Sequence, residues 1–203
     1  MPVRSRKPTT PSSRYTSVRD FSELSDKRPE KRLTEARSYH AGRSKGRISV
    51  RRKGGRHKRQ YRLVDFKREN HGVPGKVVSI EYDPNRSADL ALVVFSDGDK
   101  RYLLSPRGLR VGATVQSGPG APIELGNALS LGDLPLGIAI HNVELTPGRG
   151  GQVVRAAGNS ATLVAREGEY ATVRMPSGET RLVHVSCMAS IGEVGNQDHM
   201  NIS

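Results

Sequence analysis

An all-β protein, with two small β domains behind a basic and largely extended arm, is the fold class that the sequence predicts. Three observations lead there. From Tyr61 onward the apolar residues fall into short β-branched or alternating runs bounded by Gly, Pro and Asp. Those runs recur about every ten residues, the spacing of barrels and sandwiches rather than of βαβ units. Residues 1–60, by contrast, show no sustained helical period, few apolar residues and several Pro, Ser and Gly. A segment of that kind buries too little surface to offset its ordering entropy, so it is expected to be extended or disordered when free.

The arm begins "MPVRSRKPTTPSSRYTSVRD", which is Arg- and Ser-rich and poor in acids, as organellar transit peptides are. Pro2, Pro8 and Pro11 obstruct the amphipathic helix that such a peptide forms, which favours a plain extended arm. Residues 20–36 are the exception within the arm, with a short turn of helix expected after Pro29. The first β domain is placed at 61–125, on "YRLVDF", "KVVSIEYD", "DLALVVFSDGDKRYLLS" and "ATVQSG". Its Asp97-Gly98 pair predicts a type I′ hairpin turn, which needs positive φ at both central residues. The second is placed at 126–203, beginning within the Gly/Pro-rich passage "GPGAPIELGNALSLGDLPLG". Its runs are "IAIHNVEL", "GQVVRAA", "ATLVARE", "YATVRM", "ETRLVHV" and "ASIGEVG", with a turn at Pro176-Ser177-Gly178.

Charge is distributed as unevenly as apolar residues are. Residues 1–60 hold 19 Lys/Arg against 5 Asp/Glu, a balance of +14, whereas residues 61–203 hold 14 against 15, a balance of −1. A cationic arm on a neutral body calls for a polyanion, either nucleic acid or an anionic membrane surface. The membrane reading is disfavoured: no apolar run nears the roughly 20 residues that span a bilayer, and the arm lacks an aromatic or leucine face. With one cysteine, Cys187, no internal disulfide forms, which fits a reducing compartment, and no apolar signal segment stands near the N-terminus.

No catalytic or metal-binding pattern is expected. "GRSKGRIS" (42–49) has the wrong glycine spacing for a phosphate loop and lacks the Lys-Ser/Thr pair, and "GRGG" (148–151) carries Val153 where a dinucleotide fingerprint needs its third glycine. His40, His57, His71, His141, His184 and His199 are scattered with no i, i+4 pair, so neither a metal nor any other cofactor is anticipated. Cys187, a lone thiol at a strand end, reads as a small hydrophobe.

The basic stretch "GRSKGRISVRRKGGRHKRQYR" (42–62) carries the nucleic-acid signal. Nine of its seventeen residues from 43 to 59 are cations and none is acidic: Arg43, Lys45, Arg47, Arg51, Arg52, Lys53, Arg56, Lys58 and Arg59. The alternation from Arg47 to Arg51 predicts a short strand, with Ile48 and Val50 resting on protein or a base while the cations meet phosphates. Gly46, Gly54 and Gly55 allow close backbone approach, and His57, Tyr61 and the guanidinium planes suit stacking on unpaired bases. In the neutral body, Arg86 projects from the turn in "EYDPNRSA" (81–88), and Arg149 and Arg155 punctuate the glycine-rich "TPGRGGQVVRAAGNSA" (146–161). From the residues alone, a general basic nucleic-acid-binding protein (a DNA-compacting protein or an RNA chaperone) remains the alternative to a specific RNA binder.

The motifs "GRISVRRKGGRHKRQYRLVDFKR", "IEYDPNRSA", "KRYLLSPRGL", "GNALSL", "TPGRGGQVVRAAG" and "MASIGEVGN" resemble the bacterial form of ribosomal protein two of the large subunit, over nearly the whole chain. The resemblance implies a non-enzymatic protein with a basic extension, an OB-fold barrel and an SH3-like barrel of the translation-protein type. It further implies a primary binder of large-subunit ribosomal RNA that supports subunit association and the peptidyl-transferase region. Its expected partners are that RNA and other ribosomal proteins, with no membrane and no small-molecule substrate, on a cytoplasmic or organellar ribosome. By motif, Arg43, Arg47, Arg51, Arg52, His57, Lys58, Arg59, Tyr61, Lys67, Arg68, Arg86, Arg149 and Arg155 would contact RNA. Two departures stand out. "AGRSKGRIS" is one residue shorter than the family pattern, and the family's "NPVDHPHGGG" motif is absent from these 203 residues, so no catalytic contribution is expected of them.

Overall fold

A computed structural model describes residues 3–36, 41–53 and 57–203. Among them there is no α-helix: the structure is strands and turns, with 3-10 turns at Lys31–Leu33 and Gln197–Asn201. The first of these is the helical turn expected after Pro29.

Among the described residues the arm contains three two-stranded ribbons. Strands β1 (Val3–Ser5) and β2 (Ser17–Arg19) pair with each other. Strand β3 (Thr34–Ala36) pairs across a long excursion with β6 (Gln60–Arg62), and within that excursion β4 (Arg43–Ser44) pairs with β5 (Arg47–Ile48). Among the described residues the ribbons have no core of their own, but several attachments from the arm fix them to the body. Arg19 pairs with the buried Asp89. Leu24 and Leu33 pack into the body's apolar clusters. The Glu30 N–H donates to the hydroxyl of Tyr102 at 2.9 Å, and that hydroxyl donates to Glu81 at 2.7 Å.

The first sheet contains β7 (Gly75–Glu81), β8 (Leu90–Phe95), β9 (Lys100–Leu104) and β10 (Thr114–Val115), in the order β10-β7-β8-β9. Its central strand β8 reads "LALVVF", apolar at every position, because both of its faces are covered. Ala91, Val93 and Phe95 join Val77, Ile80, Leu103 and Val115 on one side. Leu90 and Leu92 join Tyr102, Leu104, Leu33, Val64 and Phe66 on the other, together with Val194 from the far end of the chain.

The second sheet contains β11 (Ala128–Ser130), β12 (Ala139–His141), β13 (Ala161–Glu167), β14 (Tyr170–Arg174), β15 (Thr180–His184) and β16 (Met188–Ile191), ordered β11-β16-β12-β13-β14-β15. It folds around Leu131, Leu134, Ile140, Leu163, Val173 and Cys187. Cys187 is fully buried, and burial pushes its thiol up to about 11, so it packs as the small hydrophobe that its sequence context suggests.

Two details differ from the sequence reading. Of Asp97 and Gly98 only the glycine has positive φ (86°), and the Gly98 N–H donates to the Phe95 carbonyl at 2.9 Å. The hairpin therefore turns through a type I turn closed by a left-handed glycine, a three-residue loop rather than type I′. The Met175–Glu179 hairpin repeats the arrangement, with Gly178 at φ 87° bonded to Met175. "GQVVRAA" is not a strand. Its single bridge is Val153 to Val143, and its backbone runs as a loop across the first sheet's margin.

The sheets are sewn together along one seam. The Gly195 N–H donates to the Ser105 carbonyl (2.9 Å), Arg107 N–H to Glu193 (2.8 Å), Asn196 Nδ2 to Ser87 (2.7 Å) and Gly151 N–H to Phe66 (2.9 Å).

Candidate nucleic-acid interface

Three segments meet at that seam: the stretch leading from β6 to Arg68, the 83–87 loop, and the 146–157 loop. Each is shaped by a carboxylate that accepts the backbone of its own turn. Asp65 Oδ1 accepts the N–H groups of Lys67 (3.0 Å) and Arg68 (2.8 Å), which turns the chain sharply after Phe66 and holds Arg68 at φ 60°. Asp83, wholly buried, accepts Asn85 N–H (2.9 Å) and Arg86 Nε (2.6 Å), so the Asp-Pro-Asn-Arg turn is closed by its own first side chain. Glu144, 1% exposed, accepts N–H groups from Gly150 (2.8 Å), Gly148 (3.3 Å) and Met188 (3.0 Å), and so fixes the glycine-rich loop to β16.

These turns deliver two arginines to one ring. The guanidinium carbon of Arg155 lies 4.6 Å from the centroid of Phe66, and that of Arg86 lies 5.8 Å from it and 5.7 Å from Tyr61. Arg155 also donates to the Gly151 carbonyl at 3.2 Å, while the Phe66 carbonyl accepts from Gly151 N–H and from Asn142 Nδ2 (3.3 Å). Stacking on an aromatic face leaves the outer N–H groups of a guanidinium free for phosphate or base edges while holding its plane. Gly151 is required here for space, because a Cβ on it would stand 2.7 Å from the Asn142 carbonyl oxygen and closer still to its side chain.

Of the sequence-predicted residues, Tyr61, Arg86 and Arg155 are therefore brought together. Arg149 is exposed on the adjoining loop, and Lys67, exposed and 3.1 Å from Glu69, lies under Gly150. Arg59 joins the group by donating to the Pro84 carbonyl at 2.8 Å. Arg68 does not belong with them. It is 5% exposed and donates inward, from Nε to Ser117 Oγ at 2.9 Å and from a terminal N–H to the Gly126 carbonyl at 2.9 Å.

The basic hairpin forms a second positive surface. Arg43, Lys45, Arg47, Arg51, Arg52, Lys53, His57 and Lys58 are exposed, and none of the six cations from Arg43 to Lys53 has an acidic partner among the described residues. Arg56, Gly54 and Gly55 lie outside the described residues. Instead of the expected strand from Arg47 to Arg51, the chain doubles back through Lys45 (φ 48°) and Gly46 (φ 73°), a two-residue turn with both φ positive. The Gly42 carbonyl then accepts Ser49 N–H (2.7 Å), Val50 N–H (2.9 Å) and Ser49 Oγ (2.8 Å), closing the hairpin. Ile48 (69% exposed) and Val50 (50%) face solvent rather than resting on protein.

Sequence reading missed Phe66, Asp83, Glu144 and Asn142. Asp83 alone had a legible signal, an Asp opening a Pro-Asn turn. Among the described residues, no cluster of three His, Cys, Asp or Glu is placed to hold a metal ion, and no helix is long and apolar enough to cross a membrane.

Residues 30–117 match the family model described as Ribosomal Proteins L2, RNA binding N-terminal domain, and residues 124–203 match that described as Ribosomal Proteins L2, C-terminal domain. Phe66 and Arg86 thus fall in the first match and Arg149 and Arg155 in the second.

Proposed function

The chain belongs to the ribosomal protein L2 family, RNA-binding structural constituents of the large ribosomal subunit with an OB-like N-terminal and an SH3-like C-terminal domain, and from that premise we propose that it grips large-subunit ribosomal RNA at two places. One is the Arg86–Phe66–Arg155 cluster with Tyr61, Lys67 and Arg149. The other is the basic hairpin, with Arg43, Lys45, Arg47, Arg51, Arg52, Lys53, Arg56, His57, Lys58 and Arg59. The convergence of two arginines, from loops of two separate sheets, on one phenylalanine carries the reading. A protein acting by bulk charge needs no such arrangement. Here the cluster reads shape at a fixed spacing, and the hairpin supplies counterion release.

The division of labour we propose follows the chain: an arm at 1–60, an OB-fold domain at 61–125 and an SH3-like domain at 126–203. The confinement of the two sheets to 75–115 and 128–191 supports it. As a primary RNA binder the chain supports subunit association and the peptidyl-transferase region, beside other ribosomal proteins and without a membrane or small-molecule ligand. The resemblance to the bacterial form favours a cytoplasmic ribosome of bacterial type or its organellar descendant.

Titration of the full chain with deproteinised large-subunit ribosomal RNA and with random RNA of equal length tests this reading. Arg86→Ala and Arg155→Ala are expected to erase most of the preference for ribosomal RNA. Equal losses on both RNAs would return the protein to the class of general polyanion binders.

A further inference from the structure

Arg68 is a cation withdrawn from solvent in the middle of a basic segment. Burial lowers its pKa to about 10, which still leaves it charged at neutral pH. Its hydrogen bonds reach Ser117, just after β10, and Gly126, just before β11. One guanidinium is therefore bonded to both ends of the connection between the two sheets. His141, the last residue of β12, and Asn142 after it line the same crevice. The planar fork of an arginine holds two acceptors at a fixed angle, which an ammonium on a flexible stem does not. Two residues back along the chain stands Phe66, the ring on which Arg86 and Arg155 meet.

We propose that Arg68 is a positioning residue: it ties the segment carrying Phe66 to the connection between the sheets, so that Arg86 from a loop of one sheet and Arg155 from a loop of the other are held at the spacing RNA requires, and it does not touch RNA itself. The inference rests on the reading of Arg86 and Arg155 as RNA contacts. It predicts that Ser117, 1% exposed and uncharged, matters for RNA affinity as Arg68 does.

The test is a double-mutant cycle on the full chain, with deproteinised large-subunit ribosomal RNA as probe over a series of KCl concentrations. Arg68→Gln and Ser117→Ala are each made alone and in a background carrying Arg86→Ala and Arg155→Ala. In the otherwise wild-type protein, each is expected to weaken binding about tenfold, the loss that follows if the two arginines act without their fixed spacing. In the background, each is expected to change affinity less than about twofold, with no change in the slope of log K against log salt. A phosphate contact by Arg68 would instead lower that slope by a further 0.7–0.9 or so in the background, and overturn the inference. A role confined to stability would weaken binding by the same factor in both backgrounds, and also overturn it. If Arg68→Gln does not fold, Ser117→Ala, which keeps every charge, decides by the same readouts; wild-type affinity for it overturns the inference. If Arg86→Ala and Arg155→Ala bind as wild type, the proposed RNA contacts fail and take the inference with them, a result visible without any change at Arg68.

Discussion

The guanidinium of Arg155 sits 4.6 Å from the ring centroid of Phe66, although the two residues belong to different sheets' margins and are 89 positions apart. The ring is at once a core residue, packed near Leu90 and Tyr102, and a platform for cations. Phe66→Leu keeps the apolar bulk but removes the π face under both arginines. At about 0.5–1 kcal/mol for each cation–π contact, ribosomal RNA affinity is expected to fall roughly five- to thirtyfold. Phe66→Tyr should restore most of it. Binding titrations on folded variants, checked by circular dichroism, settle the matter.

Gly151 makes a prediction about space rather than dihedral angle. A Cβ there meets the Asn142 carbonyl at 2.7 Å, and the backbone cannot retreat without breaking the Gly151–Phe66 hydrogen bond. Gly151→Ala is expected to cost about 1–3 kcal/mol in urea unfolding. Gly148→Ala, with φ 73° but open space around it, should cost closer to about 1 kcal/mol.

His141 links stability to pH. It is 2% exposed, and its Nδ1–H donates to the Gly192 carbonyl at 2.9 Å. Burial, reinforced by the Arg68 charge, pushes its pKa down to about 4 from an ordinary value of 6.5. Between those values the unfolded chain binds the proton and the folded one does not, so the contribution is complete above about pH 6.5 and is lost as pH falls toward 4. The loss amounts to about 3 kcal/mol at most. His141→Asn, which keeps a donor near the same carbonyl, should flatten that part of the stability profile in denaturant titrations.

Since the six cations from Arg43 to Lys53 have no acidic partner among the described residues, replacing them with glutamine should leave the melting temperature nearly unchanged. The same replacement should lower the slope of log K against log salt by up to about 5, at roughly 0.7–0.9 for each phosphate no longer neutralised. Neutralising the hairpin is also the cleaner experiment than deleting residues 1–60. Deletion would strip Arg19 from Asp89 and take β3 away from β6, and with them part of the folded body.

Cys187 should resist alkylation in the folded protein and react on unfolding, because its thiol is buried and its pKa raised to about 11. Labelling during a denaturant series would therefore report on opening of the second core.

Sequence patterning disclosed what depends on neighbours along the chain: the apolar runs of β8 and β13, the Gly98 and Gly178 turns, and the charge break near residue 60. It did not disclose Glu144 or Phe66. A buried carboxylate in "HNVEL" looks like a surface position in a strand until the N–H groups of a distant loop are brought to it. Phe66 reads as ordinary core, and its second role depends on side chains 20 and 89 residues away. The burial of Arg68 is hidden for the same reason, since its partners at Ser117 and Gly126 lie 49 and 58 residues on. "GQVVRAA" has a strand's composition, yet Val154 takes a left-handed φ of 57°, and the pairing with Asn142 and Val143 goes no further than the single Val153–Val143 bridge.

The pairing of β3 with β6 turns the basic stretch from a tail into a loop with both feet planted on the same ribbon. Residues 37–59 number 23, so their farthest point lies at most about 40 Å from that ribbon, out and back along the contour. A tail of equal length would sweep twice the radius. On the proposed reading, in which the Arg86–Phe66–Arg155 cluster docks on RNA first, the closed loop would hold the hairpin's cations near that cluster, so that they meet the same RNA at a high local concentration rather than by a second encounter.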